Sequence, residues 1–288
     1  MPARILSLTA LTAVAVVAMA IVWSALGGQI PGSGGSAKAD PADVSLEPPP
    51  QSAGTAPAAE PPGRPIPVLM YHATEAPPAG TAYPDLWVPA RRFAAQMQML
   101  RREGYNAVTM RQAAAYWAGR ATVPRKPVVL TFDDGFASNA RVALPVLRRM
   151  GWRGVLYLEL GALHTRPPEG ISESDVHRLL DAGWELGSHS MEHPDLAGLP
   201  ADRLRYEVAR SRTELTRRFG VTVDSFCYPD GSYDRAAVAE VRRAGYATAT
   251  TTAAGLAAPP HPLELRRIRV EGGDSPAALS ARIRAAGQ

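Results

Sequence analysis

Val128-Val129-Leu130-Thr131-Phe132-Asp133-Asp134-Gly135 is the stretch that decides the fold. Its first five residues are apolar or β-branched without a break, and an acidic turn ending in glycine closes them, which reads as a short buried strand. After it, Ala140 to Met150 has helical spacing and Gly151 stops it. The unit is therefore strand, acidic loop, helix. Upstream the same rhythm gives Pro67 to Tyr71 before Pro89 to Arg102, where Phe93, Met97 and Leu100 share a helix face, and then Asn106 to Thr109 before Gln112 to Ala118. Downstream it gives Val155 to Leu160 with Ser174 to Ala182, Trp184 to Ser188 with Asp202 to Phe219, and Ser225 to Tyr228 with Asp234 to Ala244. Tyr246 to Thr250, Arg267 to Val270 and a last helix from Pro276 to Arg284 complete the series. Such alternation predicts an α/β fold with a parallel sheet, most simply a distorted (β/α) barrel of seven or eight strand-helix units; an open doubly wound sheet is the alternative. In both, the chemistry is expected at the carboxyl ends of the strands.

The first 63 residues have a different composition. Ile5 to Leu26 is a run of 22 residues without a charge, preceded by Arg4, and at about 1.5 Å per residue it matches a bilayer core of about 30 Å. Ala18-Met19-Ala20 lies inside the run and Ala37-Lys38-Ala39 far beyond it, so neither fits a cleavage site and an anchor is favoured over a cleaved signal. Gly27 to Gly63 is dominated by Pro, Gly, Ala and Ser and holds no aromatic residue; with so little to bury it reads as an extended tether. The expected divisions are residues 1–26 as membrane anchor or signal segment, 27–63 as disordered linker and 64–288 as the folded domain. The domain is then extracytoplasmic, anchored in the cell envelope or secreted.

The chain is 288 residues long, 46% hydrophobic, with a net charge of +4. Arg4 contributes +1 and residues 27–63 contribute −3, leaving +6 on the domain. This surplus is spread over Arg-rich helices with no basic block interleaved with aromatics, so no nucleic-acid partner is expected. The single cysteine, Cys227, excludes a disulfide framework and any multi-cysteine metal site; it reads as a small buried apolar residue rather than a nucleophile.

Asp133 and Asp134 are adjacent carboxylates at a strand end, a repulsive pair unless a cation or separate hydrogen bonds relieve it. A turn bonded to its own backbone is the bland alternative. His189-Ser190-Met191-Glu192-His193 follows another strand, and histidines at i and i+4 share a face when the segment is helical, within reach of one divalent ion. With six histidines in the chain, the two motifs together favour a metal site. An Asp and two His leave a coordination position open, as in catalytic sites.

Thr131-Phe132-Asp133-Asp134-Gly135 together with His189-Ser190-Met191-Glu192-His193 resembles the first two motifs of the polysaccharide deacetylases, the NodB homology domain of carbohydrate esterase family 4. Pro67-Val68-Leu69-Met70-Tyr71-His72 and Phe226-Cys227-Tyr228-Pro229-Asp230-Gly231 resemble the branch that includes deacetylases of biofilm poly-N-acetylglucosamine. The resemblance implies that Asp133 is the catalytic base and that Asp134, His189 and His193 bind one divalent ion, zinc first among the candidates. It implies an oxyanion or substrate role for Tyr228 and Asp230, through a backbone N–H after Pro229, and a catalytic role for His72. The implied partner is an acetylated glycan polymer such as poly-N-acetylglucosamine, peptidoglycan or a chitin-like chain.

Two positions depart from the family pattern. Cys227 stands where an arginine supporting the base is expected, and Leu265-Arg266-Arg267-Ile268 lacks the histidine expected of the last motif. The reading is a metal-dependent hydrolase removing N-acetyl groups, with two alternatives open: a catalytically impaired polysaccharide-binding protein, and a glycoside hydrolase needing no metal. Trp87, Trp117 and Tyr233 are candidates for a sugar-stacking shelf, with core packing equally open.

Overall fold

The computed structural model describes residues 63–163 and 170–288. The segment 1–26, the linker 27–63 except its last residue, and His164 lie outside the described residues. Among the described residues no helix is long and apolar enough to cross a membrane.

The strand that opens the sequence reading, β3 (Pro127–Phe132), is buried at every position. It pairs in parallel with β1 (Val68–Tyr71) from Val68↔Val129 to Tyr71↔Phe132. Its other edge meets β2 (Asn106–Val108) first and β4 (Val155–Leu158) at the end. From β4 the ladder runs through β5 (Glu185–Ser188), β6 (Ser225–Cys227), β7 (Thr248–Ala254) and β8 (Leu265–Arg269) back to β1. Every pairing is parallel, and the β1–β3 contact closes seven strands into a barrel with β2 as a spur. The expected barrel is thus present and the open sheet is excluded.

Alternate residues face opposite ways, as strand geometry requires. Val68, Val129, Val155, Tyr157, Cys227 and Leu265 pack together as the inward set. Leu69, Tyr71, Leu130, Phe132, Leu156, Leu158 and Phe226 pack outward against the helices. Phe132 sits among Tyr71, Phe93 and Trp184 with ring centroids 4.9–5.9 Å apart, each buried ring stabilising the fold by about 1.5–3 kcal/mol. Inside, Tyr157 is accommodated because β5 carries Gly187, where a Cβ would lie 2.5 Å from the tyrosine ring.

The helices are α1 (Ala90–Arg102), α2 (Met110–Trp117), α3 (Leu144–Arg149), α4 (Glu173–Asp181), α5 (Ala201–Leu204), α6 (Ser211–Phe219), α7 (Arg235–Arg243) and α8 (Pro276–Ala286). Local chemistry starts them. Thr109 and Ser172 form capping boxes with Gln112 and Asp175, and the side chains of Asp234 and Ser275 accept from the third residue onward. Two stretches read as continuous helices are not: Asn139–Ala143 is a π-helical turn before α3, and Arg205–Arg210 is another between α5 and α6. Wider turns of this kind recur at functional sites, and the second carries the fully buried Glu207.

Candidate active site

Four strand ends and β8 line one cavity of about 360 Å³: His72 after β1, Asp133 and Asp134 after β3, His189 after β5, Tyr228 after β6, and Arg267 and Arg269. Asp133 prolongs the inward register of Val129 and Thr131, and its N–H donates to Tyr71 O at 2.9 Å. The chain then turns. Asp134 has φ +69 and Gly135 φ +85, where a Cβ would lie 2.6 Å from Leu158; the turn swings the second carboxylate away from the first and toward the histidines.

The histidines come together by a route other than the helical one expected. Residues 189–193 form no helix. Ser190 and His193 adopt left-handed conformations, φ +72 and +56, and His193 N–H donates to Ser190 Oγ at 2.9 Å. Glu207 reaches across and accepts the N–H groups of Met191 and Glu192, each at 3.0 Å, while Arg203 pairs with its other oxygen at 2.8 Å. Of the five non-glycine residues with positive φ among those described, Asp134, Ser190, His193 and Asp230 belong to this site and Lys126 does not. Each such residue stores about 1–3 kcal/mol of strain, a load that clusters where geometry serves function.

The loop brings His189 Nε2 and His193 Nε2 to 3.2 Å, with Asp134 Oδ1 at 3.4 and 3.6 Å from them. A tetrahedral ion with bonds of about 2.1 Å spaces its ligand atoms by about 3.4 Å, so the triangle fits one. The protonation pattern agrees. His189 Nδ1 lies 2.8 Å from Cys227 O; a carbonyl only accepts, so Nδ1 carries a proton, and Nε2, whose proton faces Asp134 without an ion, is the nitrogen left to bind one in exchange for that proton. Burial pushes the Asp134 carboxyl up, but the hydrogen bond and charge of His189, with His72 and His193, hold it well below the usual carboxylate range. Asp134 is ready to ligate as an anion.

Asp133 faces a different partner, one that the sequence reading did not find. Arg267, 1% exposed, places Nη1 2.8 Å from Asp133 Oδ1 and Nη2 2.8 Å from Oδ2, a two-point grip. Its other bonds go to Thr251 O at 2.8 Å, Thr131 Oγ1 at 3.1 Å and Cys227 Sγ at 3.1 Å. Burial would raise the Asp133 carboxyl, but Arg267, with His72 and His189, holds it below its ordinary value. The arginine missing at the position of Cys227 is supplied from elsewhere: the guanidinium beside Asp133 comes from β8. Cys227 fills the inward layer beneath the pair, its Sγ 3.6 Å from Asp133 Oδ2.

The remaining predicted residues sit around this centre. His72 lines the cavity with Nδ1 buried and without a protein partner; burial lowers its pKa more than Asp134 and Asp133 raise it. The Tyr228 hydroxyl donates to Leu263 O at 3.0 Å and its ring stacks on Tyr233 at 4.7 Å, so these two rings support the wall. Asp230 has φ +51; the bonds of its turn, Gly231 N–H to Tyr228 O and Ser232 N–H to Pro229 O, leave the Asp230 N–H unused. Trp87 is buried edge-on to Phe136 beside the mouth, and Trp117 donates to Arg64 O, before the start of β1 at the opposite end of the barrel.

A parallel barrel whose strand ends gather an Asp-His-His triangle beside an arginine-held aspartate defines a class of hydrolase site. Residues 120–249 match the family model described as polysaccharide deacetylase, and the chain carries a polysaccharide deacetylase domain. It is 29% identical over 222 residues to YxkH of Bacillus subtilis, a protein named for the polysaccharide deacetylases, covering 76% of each chain. A solved deacetylase of Streptococcus pyogenes, PplD in complex with acetate, superposes with a TM-score of 0.71 at 26% identity, over 77% of this chain and 99% of that one. The poly-beta-1,6-N-acetyl-D-glucosamine N-deacetylase of Escherichia coli is 27% identical over 204 residues, which span 56% of this chain and 30% of that protein.

Proposed function

We propose that this polysaccharide deacetylase removes N-acetyl groups from an amino-sugar polymer outside the cytoplasm, using one divalent ion, zinc first, held by Asp134, His189 and His193. The observation that carries the reading is the adjacency of two differently held carboxylates, one facing a ligand triangle and the other gripped by Arg267. When bound, the ion supplies Lewis acidity toward the acetyl carbonyl and lowers the pKa of water. Asp133 accepts the proton of the attacking water, and Arg267 keeps that carboxylate ionised and aimed. The Asp230 N–H donates to the oxygen on which charge develops, from a turn that Tyr228 O holds in place. His72 lines the same cavity beside both carboxylates, and the proton that Asp133 takes from water is available to the departing amine.

The name of the Escherichia coli relative puts poly-N-acetylglucosamine ahead of peptidoglycan and chitin-like chains as substrate. Residues 5–26 hold the protein at the membrane, with the domain in the envelope space. Arg267 weighs against the impaired, binding-only alternative, because the support for the base is in place. The test is acetate release by the full chain from a panel of acetylated glycans, before and after chelation. The expected result is acetate that disappears on chelation and returns with zinc. Reducing ends released in chelator would support a glycosidase, and glycan retained without acetate would support a binding protein.

A further inference from the structure

The arginines that lie scattered along the sequence are gathered by the fold. A helix of a parallel barrel runs back against its strands, so its last turn lies at the end where the next strand begins, opposite the catalytic mouth. Helices α1, α3, α4, α6, α7 and α8 all carry arginine in that turn. Favourable contact with the helix dipole accounts for this, but not for the distribution of the carboxylates. Toward α4, α6 and α7 the arginines are matched: Arg178 pairs with Asp175, Arg217 with Glu214, Arg218 with Glu173 and Arg243 with Glu240.

Around α1 and α3, which pack side by side, they are not. Arg101 and Arg102 end α1, and Arg148 and Arg149 end α3. All four are exposed, and among the described residues no ion pair or hydrogen bond holds their guanidinium groups. Exposed Arg125 joins them, its carbonyl accepting from Asn106 Nδ2 at 2.9 Å just past the end of α1. The carboxylates at this end of the sector are Glu103, engaged by Ser280 and Arg284, and Asp181 at the end of α4. Beside the arginines a cavity of about 310 Å³ is lined by Arg64, Lys126 and Arg284 together with Tyr105, Leu256 and Ile283. The chain enters the domain at this same face, through Arg64.

We propose that this face docks on anionic phospholipid headgroups, holding the barrel on the membrane with its catalytic mouth turned away. The proposal rests on the reading of residues 5–26 as a membrane anchor, which keeps the domain near a bilayer. Unpaired guanidinium groups suit phosphate, because each presents a planar fork of donors that two phosphate oxygens can accept. Each arginine close to an anionic surface strengthens attachment about fivefold. The field fades within about 10 Å at ordinary salt, so only arginines on one face act together. Tyrosine and aliphatic side chains beside them favour a lipid surface, polar outside and apolar within, over a purely charged polymer.

The full chain is reconstituted into nanodiscs of phosphatidylcholine, alone or mixed with phosphatidylglycerol, and exposed to an arginine-selective dicarbonyl reagent, with labelling read residue by residue. Labelling of Arg101, Arg102, Arg148 and Arg149 is expected to slow at least about fivefold when phosphatidylglycerol is present and to recover as salt is added. Arg235, exposed at the start of α7 on the catalytic side, is expected to label at a constant rate. Joint substitution of Arg148→Gln and Arg149→Gln is expected to weaken attachment about 25-fold and so expose Arg101 and Arg102 again. Arg217→Gln with Arg218→Gln, an equal loss of charge among paired arginines, is expected to leave them protected. Equal labelling in the two lipids, or equal effects of the two double substitutions, would overturn the docking face. Protection already complete in phosphatidylcholine would overturn it in favour of the acidic residues of 27–63 as occupant. A chain that stays out of both discs would overturn the anchor reading, and the proposal with it.

Discussion

The two strand ends that build the site hold their groups by opposite means. At the end of β3, Asp133 remains in the inward register of the barrel and is gripped by Arg267 from β8, so its position is part of the core. At the end of β5, the histidines leave the sheet at once and depend on left-handed backbone and on Glu207 from the π-helical turn. The first is a preorganised charge, costly to disturb for the whole fold. The second is a strained loop whose disturbance is expected to cost ion affinity before it costs the fold.

The sharpest test separates the two neighbouring carboxylates. Asp134→Ala removes a corner of the ligand triangle and is expected to abolish both stoichiometric ion and turnover. Asp133→Asn keeps shape and can still accept a hydrogen bond but cannot take a proton, so the ion is expected to stay while kcat falls about 10²–10⁴-fold. Metal analysis beside acetate release decides. If Asp133→Asn stripped the ion as thoroughly as Asp134→Ala, the division of labour would be wrong.

Arg267→Met tests whether the β3 end belongs to the core. It leaves a buried carboxylate unpaired, and about 3–5 kcal/mol of stability is expected to be lost at neutral pH, read by denaturant unfolding. The pH dependence has a fixed sign. Because the folded Asp133 carboxyl lies below its ordinary value, its contribution is complete above about pH 4 and is lost as pH falls through the lowered folded value. The gap between wild type and variant therefore narrows in acid, and a gap constant from pH 7 to below pH 3 would contradict the ion-pair account.

Glu207→Gln tests the β5 end. A carboxamide oxygen can still accept both loop N–H groups, but its nitrogen then faces Arg203 where a carboxylate oxygen paired with it, so the ion affinity is expected to fall about 10–100-fold, with activity recovered at saturating ion. Titration with zinc gives the answer. Unchanged affinity would mean that the loop keeps its shape without the Glu207–Arg203 pair.

These residues also mark how far the sequence could be read. The barrel was legible because strand and helix alternate with glycine stops, and Asp133, Asp134, His189 and His193 were legible because they stand beside strand ends in chain order. Arg267 was not, for a closed barrel brings it against a residue 134 positions earlier. The available signal was a positive charge at an inward position of a strand: β8 runs Leu265–Arg269, two residues earlier than the Arg267 to Val270 expected, and with that start Leu265 and Arg267 share the inward face. Glu207 was hidden because a helix assumed regular over Asp202 to Phe219 gives no reason to bury a carboxylate. The i, i+4 spacing of the histidines pointed to two residues that do come together, but a loop and not a helix face brings them there.

The smallest effect is expected at the position where the family pattern and this chain part most visibly. Cys227 sits under the Asp133–Arg267 pair, fully buried, and its thiol takes one of the five contacts of the guanidinium. Four of those contacts survive in Cys227→Ser, and a hydroxyl can accept from Nη2 in place of sulfur. The substitution therefore exchanges a weak acceptor for a stronger, smaller one, at a cost of about 1 kcal/mol in packing and desolvation. The expected outcome is a change in kcat of less than about threefold with ion content intact, since a residue that only fills the layer below the base leaves proton transfer alone. A loss as deep as that of Asp133→Asn, with the fold retained by circular dichroism, would instead make the thiol a participant in the reaction, and the support of the base would then have to be shared between β6 and β8.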